Sequence, residues 1–497
     1  MPAYATLEEL FARLSHIEQA QGMLHWDMAT MMPSGGAASR ARQLATLKAV
    51  HHQMLTDGKV KDLLDAATAE PLDDWQGANL REMRRDWLHA AAVPGELVEA
   101  LSRACSASEM TWREARAAGD FAQVAPLLAE VLRLTREVAE IKSQALGVSP
   151  YDALLDQYEP GGSTAAIDAI FEDLGAFLPE FLGAVLARQP ALPAGPAGPF
   201  PVERQKELGL RLMGRLGFEF EHGRLDISQH PFCGGTPDDV RITTRYDEAD
   251  FMSSLMGVLH ETGHALYERG LPVAWRHQPV GRARGMSLHE SQSLLIEMQA
   301  SRSRQFLAFA APLMAEAFGR RSGGWEVETL YAINLHVKPD FIRVDADEVT
   351  YPAHVILRYR LERALIAGDL DVDGLPGAWN EGFRDLLGET PPDDRQGCLQ
   401  DIHWYDGAFG YFPTYTLGAM TAAQLFDAAV KAVPDLQVAI AAGDFQPLLG
   451  WLRANVHGQA SRLGTDELLI RATGRPLDAG VFKDHLRRRY LGEEAVV

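Results

Sequence analysis

Apolar residues recur at three- and four-residue intervals through most of the first 189 positions, as expected of helices that pack by one face. Leu7, Leu10, Phe11, Leu14 and Ile17 make one such stripe, and Thr6 and Glu9 have the spacing of a capping box at its start. Another stripe runs from Leu127 to Leu146, with Pro126 just ahead of it, where a helix start tolerates proline. The stretch RQPALPAGPAGPFPVERQ then sets five prolines between positions 190 and 201, which neither a helix nor a central strand accommodates. It predicts a crossover, 190–204, between an N-terminal helical lobe, 1–189, and a second lobe, 205–497.

Beyond the crossover the period changes. FEFEHGRLDIS (218–228) and DVRITTRY (239–246) alternate apolar with polar residues and read as short strands of a small antiparallel sheet. Helical spacing resumes at Asp247, a residue able to cap free N–H groups, and the first helix ends at Gly270, before Pro272. The fold class is therefore mainly α.

Composition narrows the function more by exclusion. The formal net charge is −21 with no extended Lys/Arg cluster, so a phosphate backbone would be repelled and nucleic acid is not an expected partner. No uncharged run approaches the roughly 18 apolar residues a membrane span needs. Three widely spaced cysteines, Cys105, Cys233 and Cys398, fit a reducing compartment, and the N-terminus reads as a helix rather than a signal peptide. A cytoplasmic location is expected.

The chemistry concentrates in HETGH, residues 260–264. In its helix Phe251, Leu255, Val258, Leu259 and Leu266 spread around the axis, so the helix is buried. Two imidazoles and a carboxylate in an apolar setting cost several kcal/mol unless something satisfies them. His260 and His264 lie about 40° apart on one face and one turn apart in height, able to share one ion. Glu261 projects to the side, where a general base reaches a water without occupying a coordination position. A catalytic zinc takes three protein ligands, and the helix predicted in MSLHESQSLLIEMQ (286–299) offers candidates. Glu290 has room to return to the site; His289 and Glu297 are alternatives by spacing, and Glu297 reads better as a satisfied polar group.

Five motifs in one order carry a resemblance that HETGH alone could not: Asp239-Val-Arg241-Ile-Thr243; HETGH; His289-Glu290-Ser291; Ile342-Arg343-Val344-Asp345-Ala346-Asp347; and Gly397-Cys-Leu-Gln400-Asp401-Ile-His403-Trp404. In these, and in LHWDMATMMPSGG and GAFGYFPTYTLG, the chain resembles the carboxypeptidase Taq family of metal-dependent carboxypeptidases. The resemblance implies a two-lobed helical metallopeptidase of the zincin type with a deep cleft, an N-terminal lid and a homodimeric assembly. It implies peptide substrates, Glu290 as third ligand beside His260 and His264, and one zinc ion, or cobalt. One departure from many zinc peptidases is Leu294, where an Asp four residues after the Glu ligand would support a histidine. The partner of His260 is thus unassigned.

The expected activity is release of single C-terminal residues, with Glu261 as base. A free carboxylate suits a bidentate guanidinium; Arg343 is the first choice, with Arg241 and His403 as helpers, against the alternative of an Arg343 ion pair with Asp345 or Asp347. His403, Tyr411 and Tyr415 are the candidates for oxyanion stabilisation. Trp26, Asp27 and the nearby methionines read as lid packing. The rival readings are an oligoendopeptidase with the same metal site and a non-catalytic peptide-binding scaffold.

Overall fold

The computed structural model describes residues 2–228, 230–319 and 323–493. Helices fill the N-terminal region: α1 (Ala3–Thr30), α2 (Ala37–Leu55), α3 (Gly58–Ala67), α4 (Asp74–Ala91), α5 (Gly95–Ala118), α6 (Ala125–Leu146), α7 (Pro150–Leu155) and α8 (Thr164–Arg188). The stripe of Leu7, Phe11 and Leu14 packs on Leu55, Val60 and Leu64 in a small core of its own. Thr6 does not cap α1. The helix starts earlier because the Glu70 carboxylate accepts from the free N–H groups of Ala3 and Tyr4 at 2.6 and 3.3 Å, and Thr6 Oγ1 instead donates to the Pro2 carbonyl oxygen. A capping box does form at α4, between Asp73 and Gln76.

Leu128, Phe171 and Leu178 of α6 and α8 share one large core with Trp379, Phe383 and Phe412 from the far end of the chain. Residues 189–201 carry neither helix nor strand. Gln189 pins their start by exchanging two hydrogen bonds with the backbone of Val337, at 2.7 and 3.0 Å, and α9 (Val202–Leu216) follows.

The sheet contains β1 (Gly223–Ile227), β2 (Cys233–Thr236) and β3 (Asp239–Thr244) in the order β1-β3-β2. It is mixed, which corrects the antiparallel expectation: β2 and β3 form an antiparallel hairpin, but β1 runs parallel to β3. The segment after β1 carries the chain past the central position to the far edge, so β3 enters between them. β2, CGGT, carries no apolar alternation and was not legible as a strand. Its Gly235 lies under α1 at Gly22, where a Cβ would be 3.1 Å from the Gly235 carbonyl oxygen.

The helices that follow the sheet include α10 (Phe251–Gly270), α11 (Met286–Leu294), α12 (Arg304–Phe318), α13 (Val327–Asn334), α14 (Tyr351–Ala367), α15 (Leu375–Leu387) and α16 (Pro413–Ala432). Asp250, not Asp247, caps α10, accepting from the N–H groups of Met252 and Ser253; Asp247 accepts from Ala249 in the preceding turn. After α11 the expected helix widens into a π-helical stretch, Leu295–Ser301. Among the described residues no helix is long and apolar enough to cross a membrane.

Candidate metal centre

Two glycines bring α11 against the HETGH helix. A Cβ on Gly263 of α10 would meet the α11 backbone at Gln292, and one on Gly418 of α16 would stand 2.8 Å from Glu290 Cβ. With both absent, α11 lies between α10 and α16, and Glu290 faces His260 and His264. The donor atoms of these three residues all lie within 4.8 Å of one another; His264 Nε2 is 3.5 Å and His260 Nε2 4.0 Å from the Glu290 carboxylate. Bonds of about 2.0–2.2 Å to a tetrahedral ion put ligand atoms roughly 3.3–3.6 Å apart, so the set fits a divalent cation with little adjustment.

The other ring nitrogens are already engaged. His260 Nδ1 is 3.0 Å from Glu297 Oε2, whose second oxygen accepts from Arg302 Nη2 at 2.7 Å. The π-helical turn therefore supplies the partner of His260 that Leu294 could not. His264 Nδ1 lies 2.7 Å from His289 Nδ1, and His289 Nε2 lies 2.9 Å from Glu268 Oε1. With His289 donating to Glu268, its Nδ1 accepts from His264 and leaves His264 Nε2 as a lone-pair donor. Both tautomers are thus set for metal ligation. His289 and Glu297 stand behind the donor set.

Charge favours a cation as well. Glu261, Glu290 and Glu297 are all buried. Burial opposes charge on His260, yet these three carboxylates outweigh it and raise the imidazole to about 10. Burial lowers His264 to about 4, keeping it neutral. Burial likewise pushes Glu261 up to about 7, close to the range a general base needs.

A second polar cluster adjoins the first through α16. Arg343 is buried and faces Asp401, neither Asp345 nor Asp347: its Nε and Nη2 donate to the two Asp401 oxygens at 3.2 and 2.8 Å. Asp347 instead caps the turn before α14, accepting from Val349 and Thr350. The fully buried Arg358 also donates to Asp401, at 2.7 Å. Burial would raise Asp401, but the two guanidiniums hold it far below the usual carboxylate range. Gln400 orients the cluster by accepting from the Arg343 backbone N–H at 2.9 Å.

Tyr415, one turn before Gly418, stacks over the Arg343 guanidinium at 4.6 Å, and its hydroxyl is 3.2 Å from His403 Nε2. The Tyr411 ring packs on Tyr415 at 5.2 Å and on Tyr158 at 5.0 Å. Burial raises both phenols, and the Glu290 charge adds to the rise. The structure thus gathers His260, Glu261, His264 and Glu290 on one side and Arg343, His403, Tyr411 and Tyr415 on the other. Arg241 lies elsewhere: it pairs with Asp239 at 2.6 Å and covers the Trp26 ring at 4.4 Å, fastening α1 to β3. Among the described residues no hydrogen bond, ion pair or ring contact joins Arg241 to either cluster. Asp401 and Arg358 were missed as site residues, although Asp401 stands inside a quoted motif; Arg358 had no local signal.

The match to known proteins covers almost the whole chain: residues 6–490 fit the family model of the carboxypeptidase Taq (M32) metallopeptidases. The chain belongs to that family. Thermostable carboxypeptidase 1 of Thermus thermophilus is 39% identical to it over 98% of both chains. In solved structures, Trypanosoma cruzi metallocarboxypeptidase 1 superposes with a TM-score of 0.96 at 40% identity, covering 98% of this chain and 99% of that one. The M32 carboxypeptidase of Deinococcus radiodurans superposes with a TM-score of 0.93 at 36% identity over 99% of both chains. These relatives bear out the mainly helical metallopeptidase fold and the metallocarboxypeptidase activity expected from the motifs.

Proposed function

We propose that this metallocarboxypeptidase releases single C-terminal residues from peptides with broad specificity, using one zinc ion, replaceable by cobalt, held by His260, His264 and Glu290. The observation that carries the reading is the charge of the second cluster. Two buried guanidiniums, Arg343 and Arg358, share the single carboxylate of Asp401, leaving a net positive charge beside the donor set. Asp401 engages Arg343 through Nε and Nη2, so Nη1 remains to take a substrate's terminal carboxylate.

A bound ion supplies Lewis acidity, lowering the pKa of a water to around 7 and polarising the scissile carbonyl. Glu261 takes a proton onto its carboxylate and delivers it to the leaving amine. Arg343 anchors the substrate's terminus, and the His403–Tyr415 pair presents a polarised hydroxyl toward the developing oxyanion. Tyr411 orders that hydroxyl by packing on its ring. Arg241 acts indirectly, through the lid.

Residues 1–189 serve as a helical lobe joined through 190–204 to the metal-bearing remainder, 205–497; α1–α4, with their own small core, make the lid. The enzyme works as a homodimer in the cytoplasm. The test offers one short peptide as free acid and as C-terminal amide to chelated and zinc-reloaded enzyme. Stepwise loss of single residues from the acid, only after reloading, is expected. Equal cleavage of the amide would make it an endopeptidase, and no cleavage of either peptide would leave a binding scaffold.

A further inference from the structure

One buried carboxylate adjoining the second cluster has no part in the steps above. Glu362 on α14 is fully buried, and no Lys or Arg lies within ion-pair distance of it among the described residues. Three donors converge on it: Trp404 Nε1 at 2.8 Å, the Gly410 backbone N–H at 3.2 Å and the Tyr151 hydroxyl of α7 at 2.7 Å. Burying a carboxylate without a cation is costly, and complete hydrogen bonding offsets the cost. A glutamine here would turn its amide N–H groups toward a donor, so the position suits an acid.

The positions of two of these donors, the Trp404 indole and the Gly410 backbone N–H, explain why that acid matters. Trp404 follows His403 and Gly410 precedes Tyr411, so one carboxylate ties both ends of the 404–410 turn. One end of the turn packs closely on α7: Gly410 has φ +88°, and a Cβ there would stand 2.8 Å from the Leu155 backbone nitrogen. His354, Arg358 and Glu362 recur every four residues and share one face of α14. Arg358 on that face holds Asp401, and Glu362, one turn on, holds the ends of the turn.

We propose that Glu362 is a positioning residue for oxyanion stabilisation, fixing His403 and Tyr411 against Tyr415 by holding Trp404 and Gly410. It touches no substrate. The proposal rests on the reading of His403, Tyr411 and Tyr415 given above. A displaced turn misaligns the hydroxyl that meets the developing oxyanion, a contact made in the transition state, which lowers kcat and leaves KM nearly unchanged.

The test compares full-length, zinc-loaded wild type with Glu362→Gln, Tyr151→Phe, Trp404→Phe and Tyr415→Phe on a short peptide as acid and as C-terminal amide. For Glu362→Gln the expected result is a kcat for the acid lowered about tenfold or more with KM within about threefold, an unchanged acid-over-amide preference, and unchanged zinc content. Tyr151→Phe and Trp404→Phe each remove one donor but keep the acid, and are expected to lower kcat by about two- to fivefold. They carry the test if Glu362→Gln does not fold. Wild-type kcat in Glu362→Gln, or in both single-donor variants should it not fold, overturns the proposal. If Tyr415→Phe lowers kcat while those variants do not, only the role of Glu362 falls; if Tyr415→Phe is also without effect, the reading beneath it falls too.

Discussion

A Cβ added to Gly263 would stand 2.4 Å from the carbonyl oxygen of Gln292 and 2.6 Å from the Cα of Ser293. The bare backbone at the fourth position of HETGH is what lets α11 approach between the two histidines and their third partner. The separation of His264 from Glu290 is set by that contact.

Replacing Gly263 with Ala should therefore act on the metal before it acts on chemistry. The added methyl forces α10 and α11 apart against backbone atoms, costing on the order of 1–3 kcal/mol. Zinc content after dialysis should fall and the melting temperature should drop. A variant retaining full zinc and wild-type stability would show that the helices do not need this approach.

Glu261→Gln should separate chemistry from binding. The amide keeps the shape but cannot take a proton, so turnover is expected to fall by about 10²–10⁴-fold with zinc content unchanged. Single-turnover assays beside metal analysis read both; wild-type turnover would remove Glu261 from the base role.

Glu297→Gln tests the support behind His260. It weakens the Nδ1 contact and leaves Arg302 without its buried carboxylate. Loss of such a partner typically costs about 10–100-fold in metal affinity. Competition with a chelator should show that loss, and an unchanged affinity would make Glu297 a packing residue.

Away from the site, Lys142 of α6 carries a pH signature. Its amine is buried, donates to Gln157 at 2.8 Å, and burial lowers it from 10.5 to about 8. Below pH 8 it is charged in both the folded and the unfolded chain, and the folded state bears the burial penalty. Between about 8 and 10.5 the unfolded chain binds more protons, so this group's contribution to stability improves as pH rises. Lys142→Met should thus be more stable than wild type at pH 7, by on the order of 1–3 kcal/mol, with the gap narrowing toward pH 10. Denaturant melts at the two pH values check it; a gap that widens would refute the sign.

Legibility followed the range of the interaction. Phe251, Leu255 and Leu259 marked α10 as a buried helix because their spacing repeats within one or two turns, and His260 and His264 were paired by the same geometry. The cap of α10 slipped from Asp247 to Asp250 because several acids nearby could serve, and only the loop's path chose one. Thr6 failed as a cap for a similar reason: Glu70, more than sixty positions away, satisfied the helix start first.

By itself the sequence determined the mainly helical fold, the two histidines on one face of α10 and the order of the motifs, since each depends on neighbours along the chain. Only the tertiary structure decided that β1 and β3 run parallel, that Glu297 rather than a residue at position 294 supports His260, and that Arg343 meets Asp401 rather than Asp345 or Asp347. Those choices depend on which segments meet. Arg343 and Asp401 are 58 positions apart, and they are brought together by packing of the large core around α14 and α16, which no local pattern encodes.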